Sequence, residues 1–123
     1  LKVDDNDVSD DHLESLESDI EKLLKQNKVD GIFAVNEIYA ITAMKVARKL
    51  KLNIPENIKI IGFTDGVLSK HASPSLTTVS QHAKKMGEIS AKLIIDKLES
   101  NETHENNELI IIPTEIIERE STL

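Results

Sequence analysis

Residues 58–81 read IKIIGFTDGVLSKHASPSLTTVSQ, and the fold prediction rests on this stretch. It opens with an apolar run, Ile58, Ile60 and Ile61, and enters the polar corner FTDG before any helix can begin. This order is typical of a buried strand that ends on polar groups. Ligands of open parallel sheets bind outside the carboxyl ends of the strands, so the corner is the first candidate site.

The segments before this stretch alternate between amphipathic helices and apolar strands. Apolar residues recur at helical spacing from Leu13 to Leu24, which predicts a helix lying on a sheet. The run GIFAV (31–35) is short and unbroken, as expected of a strand covered on both faces. A second helix follows Asn36, and residues 1–3 fit the end of a further strand. This alternation predicts a parallel sheet with right-handed crossovers.

The segments after the corner continue the alternation and then change character. A short strand is predicted over residues 76–80, and a helix with one apolar stripe over residues 84–99. A polar loop, SNETHENNE, then leads to LIIIPTEII. Pro113 cannot donate a hydrogen bond to a sheet, so we place it at a strand edge or at a crossing between two lobes.

Composition limits the classes of function. The chain has 123 residues, enough for one domain, and it has no cysteine for disulfide bonds or thiolate metal sites. The formal charge of -7 argues against phosphate-backbone binding by this segment, which requires clustered Lys and Arg. The sequence shows no basic apolar leader and no membrane-spanning run, so we expect a cytoplasmic protein.

Three groups of motifs follow one family pattern in order and spacing. They are GIFAVNEIYAITAMKVARKLKLNIPENIKIIGF, then FTDG with SPSLTTVSQ, and finally LIIIPTEIIERESTL. Together they resemble the effector-binding domain of LacI/GalR-type transcription regulators, whose usual wording is close to AxND…GAL, PEDVSVVGFDD, PPLTTVxQ and PTELVVRES. The resemblance runs from Asp30 to Thr122.

The resemblance implies an α/β fold, the three-layer parallel-sheet lobe of a periplasmic-binding-protein-like (type I) sensor domain. Two lobes of such a domain close on a small effector, usually a sugar or sugar derivative. Residues 1–123 would be a partial effector-binding domain that lacks most of the other lobe. Residues 1–81 and 114–123 would form the carboxyl-terminal lobe, and residues 82–113 a helix and crossing of the other lobe.

The resemblance also implies partners but no cofactor. DNA would be bound only through an absent amino-terminal helix-turn-helix, and such regulators bind paired half-sites as homodimers. The dimer contacts would lie on the second helix and on residues 67–72. They are Tyr39, Ile41, Lys45, Arg48, Val67 and Ala72. The alternative is an ordinary solvated helix face.

Four residues are predicted to contact the ligand. Asn36 matches a family residue that faces the cleft, although it can also cap the second helix. Thr64 stands where the family has its ligand-binding Asp, and Asp65 either takes over that contact or caps a short helix beginning near Gly66. Gln81 matches a family residue at the lobe crossing that often reaches the ligand, or is a solvated hinge residue.

Aromatic side chains offer little to a sugar site. Phe33 and Phe63 lie in apolar strands and are predicted to be core residues. A ring that stacks on a sugar would have to come from the missing lobe, or the ligand is more polar than a plain hexose. The histidines show no metal-ligand spacing and are interpreted as surface or polar-corner residues. They are His12, His71, His82 and His104.

Two other classes of function compete with the regulator. One is a solute-binding protein of a sugar transport system with the same fold, against which the wording PTEIIERES favours the regulator. The other is an enzyme of flavodoxin-like shape, but the sequence has no phosphate-cradling Gly-rich loop and no nucleophile elbow. Glu37 and Asp65 are carboxylates at neighbouring strand ends, where such pairs more often bind or cap than catalyse.

Overall fold

The computed structural model describes residues 10–99 and 109–123 of the chain. The predictions for residues 1–3 and for His104 lie outside these ranges. Helices and strands alternate in the predicted order. They are α1 (Asp10–Gln26), β1 (Gly31–Ala34), α2 (Glu37–Lys49), β2 (Lys59–Phe63), α3 (Val67–His71), β3 (Thr77–Ser80), α4 (Ala83–Glu99) and β4 (Glu115–Ile117).

The described strands form one sheet in the order β1-β2-β3-β4. The first three run parallel, with Gly62 of β2 opposite Ala34 of β1 and Thr78 of β3. The predicted α/β fold with a parallel sheet is therefore confirmed. β4 runs antiparallel to β3, with Glu115 opposite Ser80, a direction that the sequence did not reveal.

The core lies on one face of the sheet, beneath α1 and α2. α2 presents a row of small side chains, Ala40, Ala43 and Ala47, which are almost completely buried. These small residues allow the helix to approach Ile58 and Ile60, both of which are fully buried. Burying one such Ile side chain stabilises the fold by about 1.5–3 kcal/mol.

Gly62 makes this close approach possible. A Cβ at this position would lie 3.2 Å from the Cβ of Ala40 and 3.1 Å from Cδ2 of Leu76. Both neighbours are fully buried, so neither can move without disturbing the packing around it. Glycine is thus required here by packing and not by a turn.

Ion pairs join α1 to α2 along their exposed sides. Lys45 and Lys49 of α2 reach Glu17 and Glu21 of α1. Hydrogen bonds from Lys25 and then from Lys49 lower the pKa of Glu21 to about 2. Because the lysines are largely exposed to water, these pairs fix the position of the helices more than they add stability.

The other face of the sheet is open within the described residues. Phe33 is 58% exposed and Val35 is 59% exposed, and the ring of Phe33 meets that of the half-buried Phe63 edge to face. The prediction that Phe33 is a core residue, in a strand covered on both faces, is therefore wrong here. α1 and α2 both belong to the core on the opposite face, so the described residues supply the sheet and one helical layer.

α4 and the segment after it stand apart from this core. No residue of the 17-residue α4 is buried, and Ile94 and Leu98 expose much of their apolar surface. Residues 109–114 form no strand, and Leu109 and Ile111 are also exposed. This arrangement agrees with the assignment of residues 82–113 to another lobe, which stays a prediction.

We expect Gly62→Ala to lower the free energy of unfolding by about 1–3 kcal/mol, because the added methyl overpacks the contact between α2 and β2. Urea unfolding followed by circular dichroism measures the change. Gly31→Ala is the matched control in the same sheet, since the nearest atom to its new Cβ is the carbonyl oxygen of Lys59 at 3.9 Å. Equal effects of the two substitutions would contradict the packing explanation.

Candidate functional site

The carboxyl ends of β1, β2 and β3 meet at one edge of the sheet. The register pairs Gly62 with Ala34 and with Thr78, so two residues further along each chain Asn36, Thr64 and Ser80, the last residue of β3, lie in one row. The N–H of Thr64 donates to the carbonyl oxygen of Val79 at 3.0 Å, so the pairing continues past β2. Neighbouring strands lie about 4.8 Å apart, a spacing that one small ligand can span. We call this row, together with Gln81, the carboxyl edge.

Asn36 caps α2 at this edge. Its Oδ1 accepts a hydrogen bond from the N–H of Tyr39 at 2.8 Å, and its backbone is extended, as in an N-cap residue. The predicted cap is therefore confirmed. The Nδ2 group makes no hydrogen bond to any described residue and can donate two. The ligand contact of Asn36 stays a prediction.

Thr64 has a strained backbone. Its φ of 82° lies in the left-handed region, where a β-branched residue is an outlier. Such a conformation costs on the order of 1–3 kcal/mol and persists only where the surroundings impose it. The hydrogen bond to Val79 holds the Thr64 backbone in place. Strain of this kind concentrates at ligand sites, which agrees with the predicted role of Thr64.

Asp65 forms an ion pair with Arg119, close to the last residue of the sequence. Its Oδ1 accepts hydrogen bonds from Arg119 at 2.6 Å and from Thr78 at 2.9 Å, and Lys70 lies 4.0 Å from Oδ2. The prediction that Asp65 caps the next helix is wrong, because Gly66 occupies the N-cap position of α3 and the carboxylate is turned towards Arg119.

Burial and charge act in opposite directions on the pKa of Asp65. Burial raises the pKa, because desolvation disfavours the charged form. The hydrogen bonds from Arg119 and Thr78, together with the charges of Arg119 and Lys70, lower it, and the net pKa is below its usual value. Asp65 is therefore a charged anchor whose Oδ1 already has two donors.

Glu37 caps α3 from across the sheet edge. Its Oε1 accepts hydrogen bonds from the backbone N–H and the hydroxyl of Ser69, which is fully buried. Its Oε2 lies against Gly66, and a Cβ added to that glycine would be only 2.3 Å from Oε2. A carboxylate here satisfies an N–H of the first helical turn and suits the positive end of the helix. Glu37 and Asp65 are thus both engaged within the fold.

Gln81 and His82 carry the chain from β3 to α4. Gln81 is half-buried, and its side chain bonds to no described residue. His82 has a φ of 54°, and its Nε2 lies 3.8 Å from a carboxylate oxygen of Glu115. Because Glu115 begins β4, the start of β4 lies beside the turn that leads from β3 to α4, where the sequence predicts the two crossings between lobes.

Sequence reasoning missed the contribution of the last residues. Ser121 is fully buried, donates to the carbonyl oxygen of Ile60 and accepts from the N–H of Thr77. Glu120 accepts from the N–H and the hydroxyl of Ser75. The wording ERES marked this segment, but spacing alone cannot reveal partners more than 40 residues away.

A groove of about 290 Å³ lies between α2 and α3. Four of the predicted dimer residues line it, and the lining combines apolar with basic side chains. The lining residues are Ile41, Met44, Lys45, Arg48, Leu68, His71, Ala72 and Ser73. The structure thus brings these four predicted residues together on one surface.

The remaining two predicted dimer residues differ in their surroundings. Val67 is 72% exposed and lies next to Leu68 on α3. Tyr39 is only 7% exposed, and its ring packs against His12 of α1, with the hydroxyl 3.3 Å from Nε2. Tyr39 is therefore corrected from a dimer contact to a core residue, because the contact between α1 and α2 requires its ring.

Metal-binding and membrane-spanning features are not found in the part of the chain that the structure describes. Residues 10–99 and 109–123 hold no group of three or more His, Cys, Asp or Glu side chains that could bind a metal ion. Within the same ranges no helix combines the length and the apolar character needed to cross a bilayer. The described histidines are dispersed, with His12 on α1, His71 at the groove and His82 between β3 and α4.

Known proteins resemble this chain along most of its length. The pattern of the family described as periplasmic binding protein-like domain matches residues 3–122. The HTH-type transcriptional regulator MalR of Clostridium butyricum is 40% identical over 103 residues, which is 83% of this chain and 30% of MalR. The chain thus spans only about 30% of the length of this curated relative.

Solved structures share the fold. A LacI family transcriptional regulator from Enterococcus faecium with bound ribose has a TM-score of 0.77 and 27% identity, covering 86% of this chain and 39% of that one. The transcriptional regulator CelR in complex with cellobiose has a TM-score of 0.73 and 28% identity, covering 89% of this chain and 33% of that one.

We expect Asp65→Asn to lower the free energy of unfolding by about 1–3 kcal/mol at pH 7, since it removes the charge that Arg119 binds. The folded pKa of Asp65 is below the unfolded value, so its stabilising contribution is complete above the unfolded pKa of about 3.9 and is lost as pH falls through the folded pKa. The gap between wild type and variant should therefore be constant from pH 6 to 8 and shrink below about pH 4.

Urea unfolding at a series of pH values measures this gap. Asp30→Asn serves as the control, because Asp30 is an exposed carboxylate outside the cluster around Arg119. A gap for Asp65→Asn that stays the same from pH 7 to below pH 3 would show that the ion pair does not supply this stability.

Proposed function

The chain belongs to the periplasmic binding protein-like domain family, and on this premise we propose that it is the carboxyl-terminal lobe of the effector-binding domain of a LacI-type transcription regulator. The resemblance drawn from its motifs is confirmed by relatives that are named as transcriptional regulators or repressors, not as enzymes. In this proposal the protein senses a small polyhydroxylated effector and performs no chemistry. It acts in the cytoplasm, where the DNA is.

The carboxyl edge is the observation that supports effector binding. Asn36, Thr64 and Gln81 follow three adjacent parallel strands, and each has a side-chain polar group that bonds to no described residue. Groups in such a position suit the many hydroxyls of a sugar-like ligand. Ribose and cellobiose in the structures of similar regulators agree with this ligand class.

The paired crossings support closure of two lobes. The chain leaves this lobe at His82 and returns at Glu115, and these two residues lie 3.8 Å apart. α4, which follows the first crossing, has no buried residue and offers its apolar stripe to a second lobe. Two adjacent crossings act as a hinge, so a ligand that bridges the lobes favours the closed state.

DNA binding is assigned to another part of the full-length regulator. The chain carries a formal charge of -7, which repels a phosphate backbone. Its curated relatives are about three times longer, with 30% of MalR matched. A solute-binding protein of a transport system remains the alternative with the same fold, and the names of the relatives favour the regulator.

The groove between α2 and α3 is the proposed contact between two protomers. The exposed Val67 stands beside the groove, and a projecting side chain next to a groove is self-complementary under two-fold symmetry. Lys45 and Arg48 are the basic residues that two protomers would bring close together. Lys45 forms an ion pair with Glu17, and Arg48 donates to the carbonyl oxygen of Ser73, which limits the repulsion between the protomers.

Asn36→Ser tests the effector site in the two-lobed protein that carries this lobe. Serine keeps an oxygen for the cap of α2 but removes the Nδ2 donor, so we expect stability within about 0.5 kcal/mol of wild type. Effector affinity, measured by calorimetry, should fall about tenfold, as for the loss of a ligand hydrogen bond. Asn27→Ser, at the exposed end of α1, is the control. Unchanged affinity in Asn36→Ser would remove Asn36 from the site.

Val67→Lys tests the dimer. The added ammonium would enter a groove lined by Lys45 and Arg48 of the other protomer, so repulsion and desolvation without a partner should raise the dimer dissociation constant at least about tenfold. Light scattering after size-exclusion chromatography measures the mass. Leu23→Lys, which changes an exposed apolar residue on α1, should leave the dimer intact. A dimer that withstands Val67→Lys at micromolar concentration would refute this interface.

A further inference from the structure

We propose that the contact between two protomers at the groove between α2 and α3 depends on pH, and that His71 is the group that titrates. This inference rests on the proposed function, because it concerns the regulation of the same dimer contact. A neutral His71 ring permits the contact, and a protonated ring opposes it. The argument depends on the charges that surround the ring in one protomer and on their duplication in the dimer.

His71 lies on the surface that a partner would cover. It is the last residue of α3, and it lines the groove together with Leu68 and Ala72. The residue is exposed in the single chain, and within residues 10–99 and 109–123 its ring has no hydrogen bond or ion pair. The ring is therefore free to gain or lose a proton before the protomers meet.

The charged groups that α2 contributes to the groove are both cations. Lys45 and Arg48 line it, and no carboxylate is among its lining residues. Lys45 forms an ion pair with Glu17 of α1, and Arg48 donates to the carbonyl oxygen of Ser73. The acceptors on this side of the groove thus already serve the two fixed cations.

The charged groups beside His71 on α3 and at its start also favour a neutral ring. Lys70 precedes it on α3, and the Nζ of Lys70 lies 4.0 Å from Oδ2 of Asp65. The other oxygen of Asp65 accepts from Arg119 at 2.6 Å. This carboxylate therefore stands between two cations and outside the groove lining, so a proton on His71 finds no anionic partner among the described residues of one protomer.

Two-fold symmetry duplicates these charges at the contact. Lys45 and Arg48 of both protomers approach each other, and two protonated His71 rings would add two further positive charges. Like charges repel, and a charge that loses water without gaining a partner is costly. Neutral rings carry no such cost, and they pack with the apolar part of the lining.

The direction of the pH dependence follows from proton linkage. A histidine side chain changes its charge between pH 5 and 8, with an ordinary pKa of about 6.5. Because a protonated ring opposes the contact, the dimer binds fewer protons than two separate protomers, and association becomes stronger as pH rises. With two rings that must both be neutral, the dissociation constant rises by up to about 100-fold from pH 8 to pH 5.5.

His71→Gln and His71→Lys test the proposal in the two-lobed protein that carries this lobe. Glutamine is uncharged at every pH, and lysine is charged throughout the window. Sedimentation velocity at pH 8 and pH 5.5, in the same salt and without effector, measures the dissociation constant, and circular dichroism at both pH values checks the fold. His82→Gln is the matched control, because His82 lies between β3 and α4 and does not line the groove.

We expect the wild-type dissociation constant to rise at least about tenfold from pH 8 to pH 5.5. His71→Gln should dimerise equally at both pH values, His71→Lys should dimerise weakly at both, and His82→Gln should follow wild type. A pH dependence that survives in His71→Gln overturns the proposal. A tight dimer of His71→Lys at pH 8 also overturns it, as does the loss of the pH dependence in His82→Gln.

The pH dependence and the proposed interface fail in different ways. A wild-type dimer that is equally tight at both pH values, but is disrupted by Val67→Lys, would overturn the role of His71 and leave the interface intact. A dimer that withstands Val67→Lys, or a wild type that forms no dimer at pH 8, would overturn both.

Discussion

The ion pair between Asp65 and Arg119 is the contact on which the rest of the lobe depends. It joins the corner after β2 to the end of the chain, 54 residues later. Through it the terminal segment is held against β3, where Arg119 also donates to the carbonyl oxygen of Leu76 and Ser121 fills a fully buried position. This attachment fixes β4 beside β3 and so brings Glu115 next to His82, at the two predicted crossings. The hinge of the proposed sensor is thus positioned by the ion pair between Asp65 and Arg119, and the predicted ligand contact of Asp65 stays a prediction.

Local patterns in the sequence were sufficient for the elements and for their parallel arrangement. The apolar run of GIFAV predicted β1, and the apolar run that ends at Phe63 predicted β2. The helical periodicity predicted α1, α2 and α4 close to their observed bounds. The cap at Asn36 was also predictable, because an Asn before an amphipathic stretch satisfies the first turn of a helix. These features depend on neighbours within a few residues of one another.

The features that escaped prediction depend on distant partners. Nothing near Asp65 in the sequence identifies Arg119, and the direction of β4 depends on how the chain returns from α4. Phe33 is exposed and Tyr39 buried because the described helices cover only one face of the sheet and the contact between α1 and α2 takes in an aromatic ring. The strain at Thr64 likewise arises from its pairing with β3 and not from its own preference.

The carboxylate of Glu37 has a consequence for the evolution of this lobe. Its side chain occupies the space that any Cβ on Gly66 would need, and it supplies the acceptor for the buried Ser69. A larger residue at 66 is therefore compatible only with a shorter side chain at 37, and an apolar residue at 37 only with the loss of the hydroxyl at 69. Substitutions at positions 37, 66 and 69 are therefore coupled, and related sequences should differ at these positions together and not at one of them alone.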